Sequence, residues 1–232
     1  MNDNKRQPQQ RGLVNASHRL AAGILGLALF TTACGDDDKK NSNGYEVLAP
    51  DAEVGGQDAT ALLTEYGRSL TETPLDENSL VDPNKCDQGI STDEVYFAPT
   101  FGAPGDSTAA CTMKKDQVLF LNPVATICIE TDGDTATTGC LDRYWDLTSS
   151  SVTIDGTAIS GLEDRQYDTE VGEVDLPEGN IFEIDAQTTK FIQRGQVLLV
   201  KGLSVGEHVI VLGGNFGDGE FAGQLTLTLT VE

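Results

Sequence analysis

Glu130, Asp132 and Asp134 place carboxylates at alternate positions in a Gly-containing loop between two cysteines, a spacing at which a calcium ion collects oxygen ligands. An EF-hand would need glycine where Thr135 stands and a bidentate glutamate where Leu141 stands. Calcium is therefore one reading of the loop, and an ordinary acidic turn is the simpler one; no other cofactor is implied. Gly217-Asp218-Gly219-Glu220 offers two carboxylates and makes a poorer site. His208, just after Gly206-Glu207, could serve a Ser-His-Asp triad as its base. No G-x-S-x-G elbow supplies the nucleophile, so His208 reads first as a turn-stabilising or surface residue and no catalytic residue is assigned. Carboxylates are numerous enough for a glycosidase-like acid and base pair, but abundance does not pair them. Tyr144 and Trp145, beside Arg143, could stack on a sugar or peptide; at helical spacing from Leu141 they equally suit a core.

Cysteine chemistry depends on compartment. Lys5, Arg6, Arg11 and Arg19 precede an apolar run from Leu20 to Phe30 that stops at Thr31-Thr32-Ala33, the layout of a secretory signal. That run is shorter than the roughly 20 apolar residues a bilayer requires, and Gly35-Asp36-Asp37-Asp38-Lys39-Lys40 follows it. Small residues directly before Cys34 resemble the lipobox of bacterial lipoproteins, with Thr31 where leucine is usual. The resemblance implies cleavage before Cys34, acylation (palmitate among the chains) of its sulfur and N-terminus, and a membrane anchor. Gly35 after the cysteine, by resemblance to Gram-negative sorting patterns, implies the outer membrane, and the acidic run Asp36 to Asp38 resembles the surface-export tags of some lipoproteins, which implies the cell surface.

With Cys34 assigned to lipid, Cys86, Cys111, Cys128 and Cys140 remain, an even set that in an exported chain argues for two disulfides with three connectivities open. Sequential pairing is preferred, because each bond then closes a short loop around a Gly- and Asp-bearing turn. Zinc is the other use of four cysteines, and none of the C-x-x-C spacings that suit it occurs.

Removing residues 1–33 leaves 11 basic and 36 acidic residues among 199, a formal charge of −25. Such a charge opposes nucleic acid and anionic headgroups, and is compatible with cationic partners, divalent ions or plain solubility. About 199 residues suffice for one ordinary domain. The expected organisation is a signal peptide over 1–33, an acidic flexible tether over 34–59 and a single domain over 60–232.

Within that domain, Leu62, Leu63, Tyr66 and Leu70 form a stripe on a short helix that begins at Asp58 and ends before Pro74. Thr138 to Thr148 reads as a second short helix. Val95-Tyr96-Phe97, 118–121, 126–129, 151–154, 165–176, 196–201, 208–212 and 224–231 read as strands separated by Gly, Pro and Asn turns. Leu225, Leu227, Leu229 and Val231 alternate with threonines, the pattern of a strand with one buried face. The fold class expected is mainly β: an antiparallel β-sandwich, jelly-roll or Ig-like, with one or two short helices.

Four segments carry a family likeness over Ala59 to Glu232: the first helix with Pro74, Asn78, Asp82 and Cys86; Val95-Tyr96-Phe97 with Cys111-Thr112 and Val118-Leu119-Phe120; Val152 to Gly156; and Leu198 to His208 continuing to Gly213-Gly214. On these the chain resembles an uncharacterised group of secreted bacterial β-sandwich proteins. The resemblance implies fold and export and brings no activity with it. Members carry a tryptophan-rich first helix, whereas Tyr66 is the sole aromatic here.

The function expected is that of a lipid-anchored, non-catalytic binding or envelope-associated module, its partners the membrane, through the anchor, and an extracellular ligand or envelope component. A carboxylate-dependent hydrolase of an extracellular polymer and a calcium-dependent adhesion module are the alternatives.

Overall fold

The computed structural model describes residues 44–131, 135–217 and 221–232. Two α-helices, α1 (Ala59–Glu72) and α2 (Thr138–Tyr144), accompany the strands β1 (Glu46–Val47), β2 (Val95–Phe97), β3 (Gly105–Met113), β4 (Val118–Leu121), β5 (Ala125–Ile129), β6 (Leu147–Ile154), β7 (Thr157–Ala158), β8 (Gln166–Asp168), β9 (Gly172–Leu176), β10 (Gln187–Gln196), β11 (Leu198–Lys201), β12 (Gly206–Phe216) and β13 (Phe221–Val231). The protein is mainly β, as the strand patterning predicts.

The order β3-β13-β12-β6-β7 forms one layer, and β1-β11-β4-β2 forms the facing one. Between them lie Leu225, Leu227, Leu229 and Val231 of β13, Ile210 and Leu212 of β12 and Val152 and Ile154 of β6, against Leu119, Leu121, Leu198, Val200 and Tyr96. The opposite face of the four-stranded sheet is also covered. Val95, Phe97, Val118, Phe120 and Leu199 pack on Leu62, Leu63, Tyr66 and Leu70 of α1. Burial on both faces is why Val118–Leu121 and Leu198-Leu199-Val200 are unbroken apolar runs, while β13, wet on one side, alternates. The helix starts where expected: the Asp58 side chain accepts a hydrogen bond from the Ala61 N–H at 2.8 Å.

Two strands change sheet. The chain leaves β4 at Asn122-Pro123-Val124 to enter β5, and opposite it passes from β10 to β11 at Gln196-Val197, so a third sheet, β5-β10-β8 with β9, continues the second at a bend. The backbone still bonds across the bend, the Gln196 N–H donating to the Val124 carbonyl at 3.0 Å, and Asn122 adds side-chain bonds to it. Its Nδ2 donates to the Gln196 carbonyl at 2.7 Å and to that of Val124 at 3.2 Å.

Disulfides Cys86–Cys111 and Cys128–Cys140 fasten the loop before β2 to β3, and β5 to α2. Both bonds, and the apolar clusters, close within the compact unit 39–232. That unit can be produced without the residues before it.

Several elements differ from expectation. The flexible tether does not extend to residue 59. Tyr45 is buried in the sandwich core, Glu46 and Val47 pair with Lys201 and Val200, and the Tyr167 hydroxyl donates to the Pro50 carbonyl. A single buried aromatic and a two-residue edge strand hold this stretch without any periodicity to betray it. The sheets are not antiparallel throughout, since β2–β4 and β3–β13 pair in parallel. β3, which lies in the other layer, occupies the connection from β2 to β4. The second helix ends at Tyr144, and Leu147 and Thr148 already belong to β6. Residues 165–176 form two strands, and β3 and most of β10 are additional.

Candidate functional site

The bend between the second and third sheets opens an apolar cleft of about 220 Å³. Asn122, Pro123 and Val124 lie at its floor, Ala125 and Ile127 of β5 at one side, and Phe101, Phe182, Phe216 and Phe221 around it. Phe216 and Phe221 are cross-strand partners at the end of the β12–β13 pair, with ring centroids 6.1 Å apart at 71°. Phe101 lies on the inner face of that pair because Gly214 and Gly223 leave room for its ring. A Cβ on Gly223 would stand 2.4 Å from Phe101 Cδ2. Phe101 and Phe221 are 6.3 Å apart and near-parallel, so the hairpin end is an aromatic wall. Phe182, Phe216 and Phe221 are each half-exposed. Among the described residues none lining the cleft is charged. Asn122 is fully buried, and its Oδ1 has no hydrogen-bond partner among the described residues.

His208 does meet a serine and an aspartate. Nδ1 is 2.7 Å from Asp155 Oδ2, and Nε2 is 3.3 Å from Ser204 Oγ but 2.9 Å from the Ser204 carbonyl oxygen. Both ring nitrogens thus face obligate acceptors and both must donate, which is the imidazolium form. Burial opposes the charge, and the Asp155 carboxylate with the Ser204 carbonyl outweighs it, leaving the pKa above the ordinary histidine value. A ring in this state has no lone pair to take a proton from Ser204 Oγ, so the trio is a clamp and not a triad. It fastens the loop before β12 to the tight turn Asp155-Gly156, where both residues have positive φ and where Asp155 Oδ1 also accepts from the Val209 N–H at 2.9 Å.

This clamp predicts a pH dependence with a definite sign. A histidine whose folded pKa is raised contributes stability fully below its unfolded pKa of roughly 6.5 and loses it as pH rises through the folded value. The melting temperature of the unit 39–232 should therefore fall as pH rises above roughly 6.5, a change for which His208 is the sole histidine among the described residues. In His208→Gln the fall should vanish; persistence of the same slope would show that the clamp is not its origin.

Tyr144 and Trp145 do not share a surface. Trp145 packs edge-on to Phe216 at 5.7 Å, with the Arg194 guanidinium 5.9 Å from its ring, while Tyr144 is 52% exposed. Arg194 holds Asp168 through two bonds of 2.6 and 2.7 Å and Asp142 at 2.9 Å, tying α2 to β8 and β10. Trp145 is thus packed as part of the wall behind the cleft. Glu130 forms an ion pair with Lys190 at 3.1 Å. Asp132 and Asp134, the rest of the proposed calcium set, lie outside the described residues, as do Asp218, Glu220 and the lipidation candidate Cys34. Among the described residues no cluster of three or more His, Cys, Asp or Glu is arranged to hold a metal ion. No Asp or Glu is buried among them either. No described helix is long and apolar enough to cross a membrane.

The cleft escapes sequence reasoning because Phe101 and Phe182 come from two separate connections, while Phe216 and Phe221 stand at the ends of β12 and β13, so no single stripe gathers the four. The available signal was the pairing of inward glycines 214 and 223 with phenylalanines at 216 and 221.

No family model matches the chain, and no curated protein matches it. Among solved structures it is similar to one titled "Structure of PbICP-C in complex with falcipain-2", at a TM-score of 0.26 and 10% identity over 60% of this chain and 99% of that one. A likeness that distant carries neither fold nor function across.

Proposed function

We propose that the protein is an exported, lipid-anchored, non-catalytic binding module that captures a small neutral ring or apolar side chain in the aromatic cleft. The observation that carries this reading is the cleft itself: three phenylalanine rings, Phe182, Phe216 and Phe221, left partly open around the buried Phe101 at a bend between sheets. Burying an apolar ring there gains about 25 cal/mol per Å² removed from water. A non-catalytic role is supported by the engagement of both His208 nitrogens and by the lack of a buried Asp or Glu among the described residues. Export is supported by the two disulfides, which persist in oxidising compartments, and anchoring by the residues around Cys34. The strongly acidic remainder keeps the domain soluble and off nucleic acid and anionic lipid.

In a panel of neutral ring compounds (indole, phenol, cyclohexanol) at several millimolar, at least one should raise the melting temperature of the unit 39–232 by roughly 2–4 °C. The rise should be absent in Phe221→Ser. Equal shifts in both proteins, or none in either, would count against the cleft as the site.

A further inference from the structure

A sheet edge with free backbone groups is a template for another strand, and folded chains cover or blunt such edges. This domain does so at three of them. Along β2 the Ser91 and Thr92 hydroxyls accept from the Phe97 and Val95 N–H groups, each at 3.0 Å. On β3 the Asn84 Oδ1 accepts from the Ala110 N–H at 3.2 Å, and on β9 the Glu72 carboxylate accepts from the Asp175 N–H at 3.3 Å.

β6 is covered only at its end. There β7 pairs Ala158 with Thr153 and Thr157 with Ile154, and the Ile159 N–H donates to the Val152 carbonyl at 2.9 Å. Backbone groups alternate in direction along a strand, so those of Ser150 point outward as those of Val152 do. Among the described residues the Val152 N–H and the Ser150 N–H and carbonyl make no hydrogen bond. Residues 147–151 carry no charge and no proline, and the one register shift against β12 falls between Leu147 and Ser149. Beyond β7 the chain leaves the sheet, and a groove of about 430 Å³ lies beside the open edge, with Leu147, Ser150, Ile159 and Leu162 among its walls. It shares no lining residue with the aromatic cleft.

We propose that this edge is a second binding site, which takes an extended peptide segment as an added antiparallel strand in the row of β7. Residues of that segment that exchange hydrogen bonds with Ser150 and Val152 have side chains on the same face as those two, and Val152 faces the sandwich core. The segment therefore presents apolar residues to the groove and alternates them with residues that face water. Charge decides what those are. Glu163 lines the groove with no Lys or Arg among its described lining residues, and residues 34–232 carry a formal −25. A second copy of the chain is repelled by that charge, and a segment with lysine or arginine at its water-facing positions is attracted.

The test is fluorescence anisotropy of the unit 39–232 with a capped, labelled heptapeptide of alternating lysine and valine. Two further peptides carry N-methyl groups, one on every valine amide and one on the inner lysine amides. With valines in the groove, the valine N–H groups are those that face β6. Methylating them should weaken binding at least about tenfold, and methylating the lysine amides should change it less than about threefold. Ser150→Pro, which removes an outward N–H that β12 does not use, should also weaken the parent peptide at least about tenfold. Equal binding of all three peptides would show attraction by charge alone and overturn the proposal. So would no binding of the parent peptide at millimolar concentration, or a dimer of the unit that Ser150→Pro dissociates, which would assign the edge to a second copy. None of these outcomes touches the cleft, whose test is Phe221→Ser.

Discussion

A precursor carrying Cys34→Ser, expressed in a diderm bacterial host, should leave the membrane fraction almost completely, whereas the unaltered precursor should be found there almost completely. Anchoring by acyl chains contributes about 0.8 kcal/mol per buried methylene, so two or more chains on one cysteine hold a domain at a bilayer essentially without dissociation. No described helix is long and apolar enough to span a membrane, and a formal charge of −25 on residues 34–232 repels anionic headgroups. The effect is therefore all or none. Detergent-phase partitioning of the two forms, together with the mass of the mature N-terminal peptide, reads it directly. Membrane retention of Cys34→Ser would mean that something other than lipid on this residue anchors the chain.

The second large effect lies in the layer shared by both faces of the four-stranded sheet. Phe120→Ala should destabilise the domain by about 3–5 kcal/mol in denaturant titration, a large share of the total stability of an ordinary domain. Phe120 is fully buried, 4.9 Å from the Phe97 ring and 5.3 Å from the Tyr66 ring, and those two stack on one another at 6.2 Å. Removing the middle ring opens a cavity between a sheet and a helix that are themselves fixed, the sheet by the sandwich behind it and the helix by its cap at Asp58. Neither can close in. A loss below about 1.5 kcal/mol would show that α1 settles into the gap, and the helix would then be a looser layer than its packing indicates.

The same layering explains what the sequence discloses and what it hides. β13 is legible because one face meets the core and the other meets water, so leucine and threonine alternate without interruption. β4 and β11 are legible as strands, but their unbroken apolar runs reveal that α1 covers their second face only once the structure is known. β3 buries Ala109, Cys111 and Met113, side chains too small or too ordinary to stand out between polar neighbours. β10 begins with Gln187-Thr188-Thr189-Lys190, a polar stretch paired with the charged β9, and its hydrophobic signal starts only at Phe191. The stretch expected as a helix through Thr148 has Leu141, Tyr144 and Leu147 at three-residue spacing, yet Trp145 is drawn toward Phe216 and Arg194 and the helix stops. Tertiary contact overrides local period there.

The site was less legible than the fold. His208 could be set aside as a base for want of an elbow motif, but its role as a charged clamp needed the positions of Asp155 and of the Ser204 carbonyl. The cleft needed more still, since Phe101, Phe182, Phe216 and Phe221 are brought together by a sheet bend whose sequence mark is the short stretch Asn122-Pro123-Val124.

The most direct measurement of the binding role is amide chemical-shift mapping of the unit 39–232 as indole is added to saturation. The cleft account predicts that the perturbed amides gather at Phe101, Asn122, Val124, Ile127, Phe216 and Phe221, leaving those of Asp155, Ser204 and His208 in place. Saturable shifts centred on Asp155 and His208, or no saturable shift anywhere, would contradict it.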